Sequence, residues 1–317
     1  MLMDRLALST CWCSQRHTDG YEMLAEMAEL GFRRVELSHG IRVSLVPGIL
    51  QAVAEGLVEV TSIHNFCPLP NGVPTPAPNL YEPSAKDARE RGLWQRYTTQ
   101  TLDFAVKVGA GAVVAHSGRQ HFFFASPEAR FEKALAASPA ETRAAAMAEE
   151  SVLGARDRAL RRIQRRAPKT MARIQEAYEQ VLPAAAERGL RLGLENREGL
   201  EEMPLDPHMA PFLEKLGAPD AARYWHDTGH ARKKEQLGLL DHRAHLEANA
   251  ERLAGFHLHD VDATGRDHRV PGAGEIDFAM VGEFVRPEHV LVLELSPSLE
   301  ADEVRAARDH LAEQLGL

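Results

Sequence analysis

Residues 189–196 read GLRLGLEN: a glycine that can stop a helix, then a short apolar run ending on a carboxylate and an amide. The run is short and nearly continuous in its apolar character, which suits a strand covered on both faces, as the strands of parallel sheets are. A stretch of helical period at 169–188 precedes it, and another at 206–216, closed by Gly217, follows. The alternation continues in both directions. Strand candidates lie at 6–10 (LALST), 34–38 (RVELS), 58–64 (VEVTSIH), 112–116 (AVVAH), 191–196, 223–227 (RYWHD), 255–259 (GFHLH) and 290–295 (VLVLEL). Helix candidates lie near 19–30, 43–55, 85–108, 169–188, 206–216, 234–252, 277–284 and 300–314, with Gly31, Gly56, Gly109 and Gly189 closing several. Eight such units in about 250 residues predict an α/β fold, a (β/α)8 TIM barrel. A doubly wound open sheet competes. The turn after the first strand, TCWCSQRH at 10–17, carries no glycine-rich phosphate-binding pattern and favours the barrel.

Two segments exceed the minimal repeat. Residues 65–83 (NFCPLPNGVPTPAPNLYEP) are too rich in proline for regular structure and predict a stiff loop after strand three, over the mouth of the barrel. Residues 119–167 are too long for an ordinary connection and predict a helical lid inserted after strand four, within a single domain spanning 1–317. Its six arginines, Arg156, Arg158, Arg161, Arg162, Arg165 and Arg166, read first as a solvated helix face.

The 317 residues are 44% hydrophobic and 26% charged, the balance of a folded protein, and 46 acidic against 37 basic residues give a net charge of −9. No overall positive field draws the chain to nucleic acid or to an anionic membrane, and no apolar run reaches the length of a membrane span. The start, MLMDRLALST, lacks a signal-peptide pattern, and Cys11, Cys13 and Cys67 are an odd number that suits reduced thiols. These features predict a cytoplasmic protein.

The chemistry sits at the strand ends. His64, His116, Glu195, Asp227, His257 and Glu294 close strand candidates, and a barrel brings the carboxyl ends of all its strands to one mouth. His230, three residues after Asp227 in HDTGH, and His268, in RDHRVPGAG, lie near the same ends. Three hard carboxylates and an imidazole suit Mn2+, Mg2+, Co2+ or Zn2+ rather than a thiophilic metal. A carboxylate ending an apolar strand is expensive without a partner, which makes Glu195 and Glu294 the strongest functional candidates. His64, His116 and His268 could bind substrate, bind a second metal, or only hydrogen-bond the ligands of the first. Arg197 and Arg232 lie close enough to the mouth to meet an anionic group, and Glu36 closes another strand with a surface or supporting role open to it. The Cys11–Cys13 pair reads as ordinary thiols, and Trp12, Phe66, Trp94 and Phe122–Phe124 as core or as an apolar wall for a sugar ring.

The motifs SIHNFCP (62–68), VVAHSGR (113–119), LGLENRE (192–198), YWHDTGH (224–230), GFHLHDVD (255–262), DHRVPGAGEIDF (267–278) and VLELSP (292–297) follow one another at family-specific order and spacing. Together they resemble the xylose isomerase-like TIM-barrel superfamily, which joins sugar phosphate isomerases and epimerases with endonuclease IV. The resemblance implies that Glu195, Asp227, His257 and Glu294 hold one divalent cation and that Glu195 and Glu294 exchange a substrate proton. A ketose or aldose, phosphorylated or not, would lose the proton α to its carbonyl, giving an enediolate and then an isomer or epimer. His230 and Arg197 would hold substrate hydroxyls.

The same resemblance implies an alternative. In endonuclease IV further ligands at the positions of His64, His116, His230 and His268 build a three-zinc cluster for phosphodiester hydrolysis, so more than one Zn2+ stays open here. That pattern departs at Arg266, which stands where a ligating aspartate is expected, although Asp267 adjoins it. A dehydratase or lyase using the same enolate chemistry is the third reading, and a homo-oligomer is compatible with all three.

Overall fold

The computed structural model describes residues 5–317. Its eight strands are β1 (Leu6–Ser9), β2 (Arg34–Leu37), β3 (Glu59–His64), β4 (Ala112–Ala115), β5 (Arg191–Glu195), β6 (Ala222–Asp227), β7 (Leu253–Leu258) and β8 (Val290–Leu293). They pair in sequence order, all parallel, and β8 closes on β1, so the predicted (β/α)8 TIM barrel is what forms. The helices around it are α1 (Gly20–Glu29), α2 (Val46–Ala54), α3 (Ala88–Val108), α4 (Pro127–Ala136), α5 (Arg143–Ala146), α6 (Glu150–Gln164), α7 (Ala167–Glu187), α8 (Met209–Leu216), α9 (Thr228–Gln236), α10 (His242–Asn249), α11 (Phe278–Gly282) and α12 (Ala301–Gln314).

Two cores hold the fold. The larger lies between the strands and the helices, where residues such as Leu8, Val35, Ile63, Leu194 and Phe256 meet helix faces carrying Met23, Ile49, Leu102 and Val181. The smaller fills the barrel itself, with Ala7, Ala112, Val114, Ala254 and Val292 packed round Trp225. Trp225 fits because its neighbours on β5 and β7 are glycines: a Cβ on Gly193 would come within 3.1 Å of the indole, and one on Gly255 within 2.6 Å. The indole forms a floor, and the ring of His257 stands on it, 5.3 Å away between centroids.

The helical stretch expected at 234–252 is divided in the structure. Gly238, at φ +62°, ends the first segment, and α9 begins much earlier, at Thr228, because the Asp227 carboxylate caps it by accepting the His230 N–H at 2.7 Å. β6 therefore passes into α9 with no loop, which fixes Asp227 and His230 relative to each other.

The insertion after β4 contributes α4, α5 and α6. α4 and α6 pack together, and the pair is fastened to the β5–α8 connection by a reciprocal exchange: Glu128 accepts the Leu200 N–H at 3.1 Å while Glu201 accepts the Glu128 N–H at 3.1 Å. It reaches further, through Arg143 N–H to the Ala263 carbonyl at 3.0 Å and Arg156 to the Leu237 carbonyl at 2.9 Å. Arg162 and Arg166 lie over the face of Phe122, while Phe123 and Phe124 are exposed. No helix among the described residues is long and apolar enough to cross a membrane.

Candidate metal centre

At the carboxyl ends of the strands a cavity of about 400 Å³ opens, lined by residues that include His64, His116, Glu195, Arg197, His230, His268 and Glu294. At its base His257, fully buried on β7, turns Nδ1 toward three carboxylates: Glu195 Oε1 at 2.8 Å, Glu294 Oε2 at 3.2 Å and Asp227 Oδ2 at 4.0 Å. One donor atom from each of the four residues lies within 4.8 Å of the others. The four ligand candidates drawn from the strand ends thus meet at one point.

The other ring nitrogen of His257 faces Glu36, at 3.2 Å from both carboxylate oxygens. Glu36 is wholly buried inside the barrel rather than at the surface, and also accepts from Ser62 at 2.8 Å and Ser9 at 3.1 Å. A carboxylate on Nε2 keeps the proton there and leaves Nδ1 as a lone pair for a cation. Burial opposes charge on His257, yet Glu294 and Glu36 raise its affinity for a proton well above the ordinary imidazole range, so Nδ1 holds a proton in the place a cation would take. Burial likewise opposes Glu195, but the Arg197 guanidinium holds its carboxyl well below the usual range. Asp227 is held down against burial by His230 and His259.

The remaining predicted residues surround this point. His116 Nε2 approaches Glu195 Oε2 to 2.8 Å and His64 Nε2 to 3.7 Å, a second group within ligating range of one another. Burial first, then Arg197, pushes His116 down to about 3, so it is neutral at physiological pH. His64, His230 and His268 each donate Nδ1–H to a backbone carbonyl, those of Asn65, Asn196 and Glu294, at 2.9 Å in every case. His116 donates to Asn79 Oδ1 at 2.7 Å. All four histidines therefore carry their proton on Nδ1 and keep Nε2 as a lone pair, the arrangement seen for imidazoles that bind metals.

Arg197 is already matched on two sides, by Glu195 at 3.0 Å and Glu202 at 3.1 Å. Arg232 pairs with Glu235 and Glu275 and does not line the cavity. Asp267 lines it but is tied to Lys233 at 2.8 Å. Cys11 lines the cavity, whereas Cys13 is buried in the hydrophobic core and does not line it. Trp94 and Phe66 are core residues, and the cavity lining includes none of Phe122–Phe124.

Several residues of the site carry no signal in the strand-end pattern. Asn196 accepts the Asp227 N–H at 2.7 Å and donates to the Asp227 carbonyl at 2.9 Å, locking the ends of β5 and β6 in step. Its place beside Glu195 was the available clue. His39, one turn past β2, lines the cavity edge-on to His64 at 4.8 Å. His259 stands behind Asp227, at 3.1 Å from Oδ2.

Comparison with known proteins agrees with this architecture. The sequence model of the xylose isomerase-like TIM barrel matches residues 24–314. A comparison with curated protein sequences finds no match. Among solved structures, D-psicose 3-epimerase from Clostridium cellulolyticum H10 is 13% identical, with 98% of this chain and 99% of that chain covered at a TM-score of 0.65. The 3-keto-D-glucoside 4-epimerase of E. coli is 16% identical, with 99% of each chain covered at a TM-score of 0.64. An L-ribulose 3-epimerase is 17% identical, with 98% and 94% covered at a TM-score of 0.67. At these identities the likeness is one of fold. With the family model spanning nearly the whole length, the chain belongs to the xylose isomerase-like TIM barrel family.

Proposed function

We propose that the protein is a divalent-metal-dependent isomerase or epimerase of a sugar or sugar phosphate. The observation that carries this reading is the convergence of Glu195, Asp227 and Glu294 on the Nδ1 of His257 at the base of an open cavity. The donor set fits a hard or borderline cation such as Mn2+, Co2+, Mg2+ or Zn2+, because three carboxylates this close are tenable as anions only with positive charge among them. Bound there, a cation would supply Lewis acidity toward a substrate carbonyl.

The chain's own groups do the rest. Glu195 and Glu294 come from strands three places apart round the barrel and border the same cavity, so one can take the proton α to a carbonyl while the other returns it. Return to the same carbon gives an epimer, and return to its neighbour an isomer. Arg197, anchored by Glu202, keeps Glu195 ionised and aimed. His230 and His268 present Nε2 as acceptors for substrate hydroxyls. That three solved neighbours are named as sugar epimerases supports the choice of substrate class.

The His64–His116–Glu195 group supports a second reading, a multinuclear zinc phosphodiesterase of the endonuclease IV kind. A dehydratase using the same proton abstraction is a third. The test is metal content by mass spectrometry on protein purified without added metal, with exchange of carbon-bound hydrogen in heavy water for a panel of free and phosphorylated ketoses. About one ion per chain, with exchange lost in Glu195→Gln and Glu294→Gln, is expected. Two or three retained zinc ions with no exchange would overturn the isomerase reading, and net loss of water from the substrate would replace it with the dehydratase.

A further inference from the structure

His259 lies one residue beyond β7 and is fully buried. Its Nδ1 accepts the backbone N–H of His268 at 2.9 Å, and a nitrogen that accepts an N–H carries no proton. With Nδ1 engaged as an acceptor, the ring proton sits on Nε2 and is donated to Asp227 Oδ2 at 3.1 Å. The other carboxylate oxygen of Asp227 accepts the His230 N–H at 2.7 Å. Both oxygens are held by donors fixed in direction, one from the first turn of α9 and one from His259.

The surroundings are built to keep the ring in place. A Cβ on Gly229 would fall 2.0 Å from the ring, so the first turn of α9 has a glycine where the imidazole passes. The Thr228 hydroxyl bonds the His259 carbonyl at 2.9 Å. On the far side the ring of His268 stacks on His259 at 4.2 Å, with planes 17° apart, and His268 is the one non-glycine residue among those described with positive φ, +52°. Donor atoms of His259, His268 and Glu294 also lie within 4.8 Å of one another, but both His259 nitrogens are engaged in hydrogen bonds, to the His268 N–H and to Asp227.

We propose that His259 is a positioning residue: as an Nε2–H imidazole it fixes the carboxylate of Asp227 for a divalent cation and, through His268, fixes the loop that follows β7. This rests on the reading of Asp227 as a metal ligand. The experiment measures Mn2+ affinity by calorimetry and the visible spectrum of the Co2+-loaded protein for wild type, Asp227→Ala, His259→Gln and His259→Leu, with thermal midpoints in chelator. A long-range proton–nitrogen NMR spectrum of the wild type, without metal, reads the tautomer directly. Glutamine can offer a donor near the place of Nε2, so His259→Gln is expected to stay within about 3-fold of wild type, whereas His259→Leu loses 10- to 100-fold in affinity and shifts the Co2+ bands. The expected tautomer is Nε2–H.

Wild-type affinity in His259→Leu, a proton found on Nδ1, or equal losses in both variants accompanied by equal losses of midpoint in chelator would each overturn the proposal. If Asp227→Ala binds Mn2+ as wild type does, the reading of Asp227 as a ligand fails instead, and the positioning role falls with it.

Discussion

The Nε2 atom of His116 lies 2.8 Å from Oε2 of Glu195, and both atoms are acceptors, because the His116 proton is committed to Asn79 on the opposite side of the ring. Two lone pairs at this distance repel unless a cation lies between them. His64 Nε2, 3.7 Å from the same oxygen, supplies a third donor. Zinc titration of metal-free protein is therefore expected to show a second, weaker binding event. His116→Ala should remove that event and leave the first, measured by calorimetry with ions per chain counted by mass spectrometry.

Toward a cation at this site, Glu36 would act only through His257. Replacing it by Gln keeps the volume but removes the charge that holds the Nε2 proton, so Glu36→Gln should weaken Mn2+ binding about 10- to 100-fold while Glu195→Ala abolishes it. Equilibrium dialysis of both variants checks the ranking.

Acid should loosen the barrel from outside the site. His226, His242 and His245 are buried together between β6 and α10: Nε2 of His226 lies 2.8 Å from Nε2 of His242, and Tyr224 joins His226 at 2.7 Å to His245 at 2.8 Å. Burial, against the pull of Glu235 and helped by His245, holds His242 down to about 4. The unfolded chain, with an ordinary imidazole near 6.5, takes up the proton first as pH falls. Stability is thus full above about pH 6.5 and is lost progressively toward pH 4, by roughly 3 kcal/mol for this residue alone. Urea midpoints at pH 7.5 and 5 should fall for wild type and fall less for His242→Gln.

Glycine substitutions should split by location. Gly255→Ala places a methyl 2.6 Å from Trp225 and 2.7 Å from the Val290 carbonyl, which cannot move without the sheet, so it should destabilise by about 1–3 kcal/mol or more. Gly92→Ala, exposed in α3 with open space around it, should stabilise by up to about 1 kcal/mol. Chemical denaturation of the two variants reads opposite signs.

The barrel was legible because each buried strand is a short apolar run between helical stretches, and the four ligand candidates because each ends such a run or follows its last apolar residue. What sequence order conceals is contact between strands. Glu36 reads as a charge at a strand end, and only its pairing with Ser62 across β2 and β3 turns it beneath His257. His259 lies two residues from His257, yet its partner Asp227 is 32 positions away. α9 was misplaced for a local reason: TGHARKKEQ has no apolar stripe, and its start is set by the Asp227 cap rather than by periodicity.

The insertion after β4 contributes no side chain to the lining of the cavity, yet it is bonded to the connections after β5 and β7 and to the end of α9. Loops on this scaffold are usually thought of as interchangeable parts. Here several of them share one brace, so a chimaera that exchanges residues 119–167 loses the fastening of the connections after β5 and β7 together. The proline-rich segment 65–83 supplies Pro76 and Pro78 to the wall but is tied to the insertion through Glu82, 2.6 Å from His121 Nε2, so piecemeal variation is freer at the turn after β1, which supplies Cys11. Directed change of specificity should begin there.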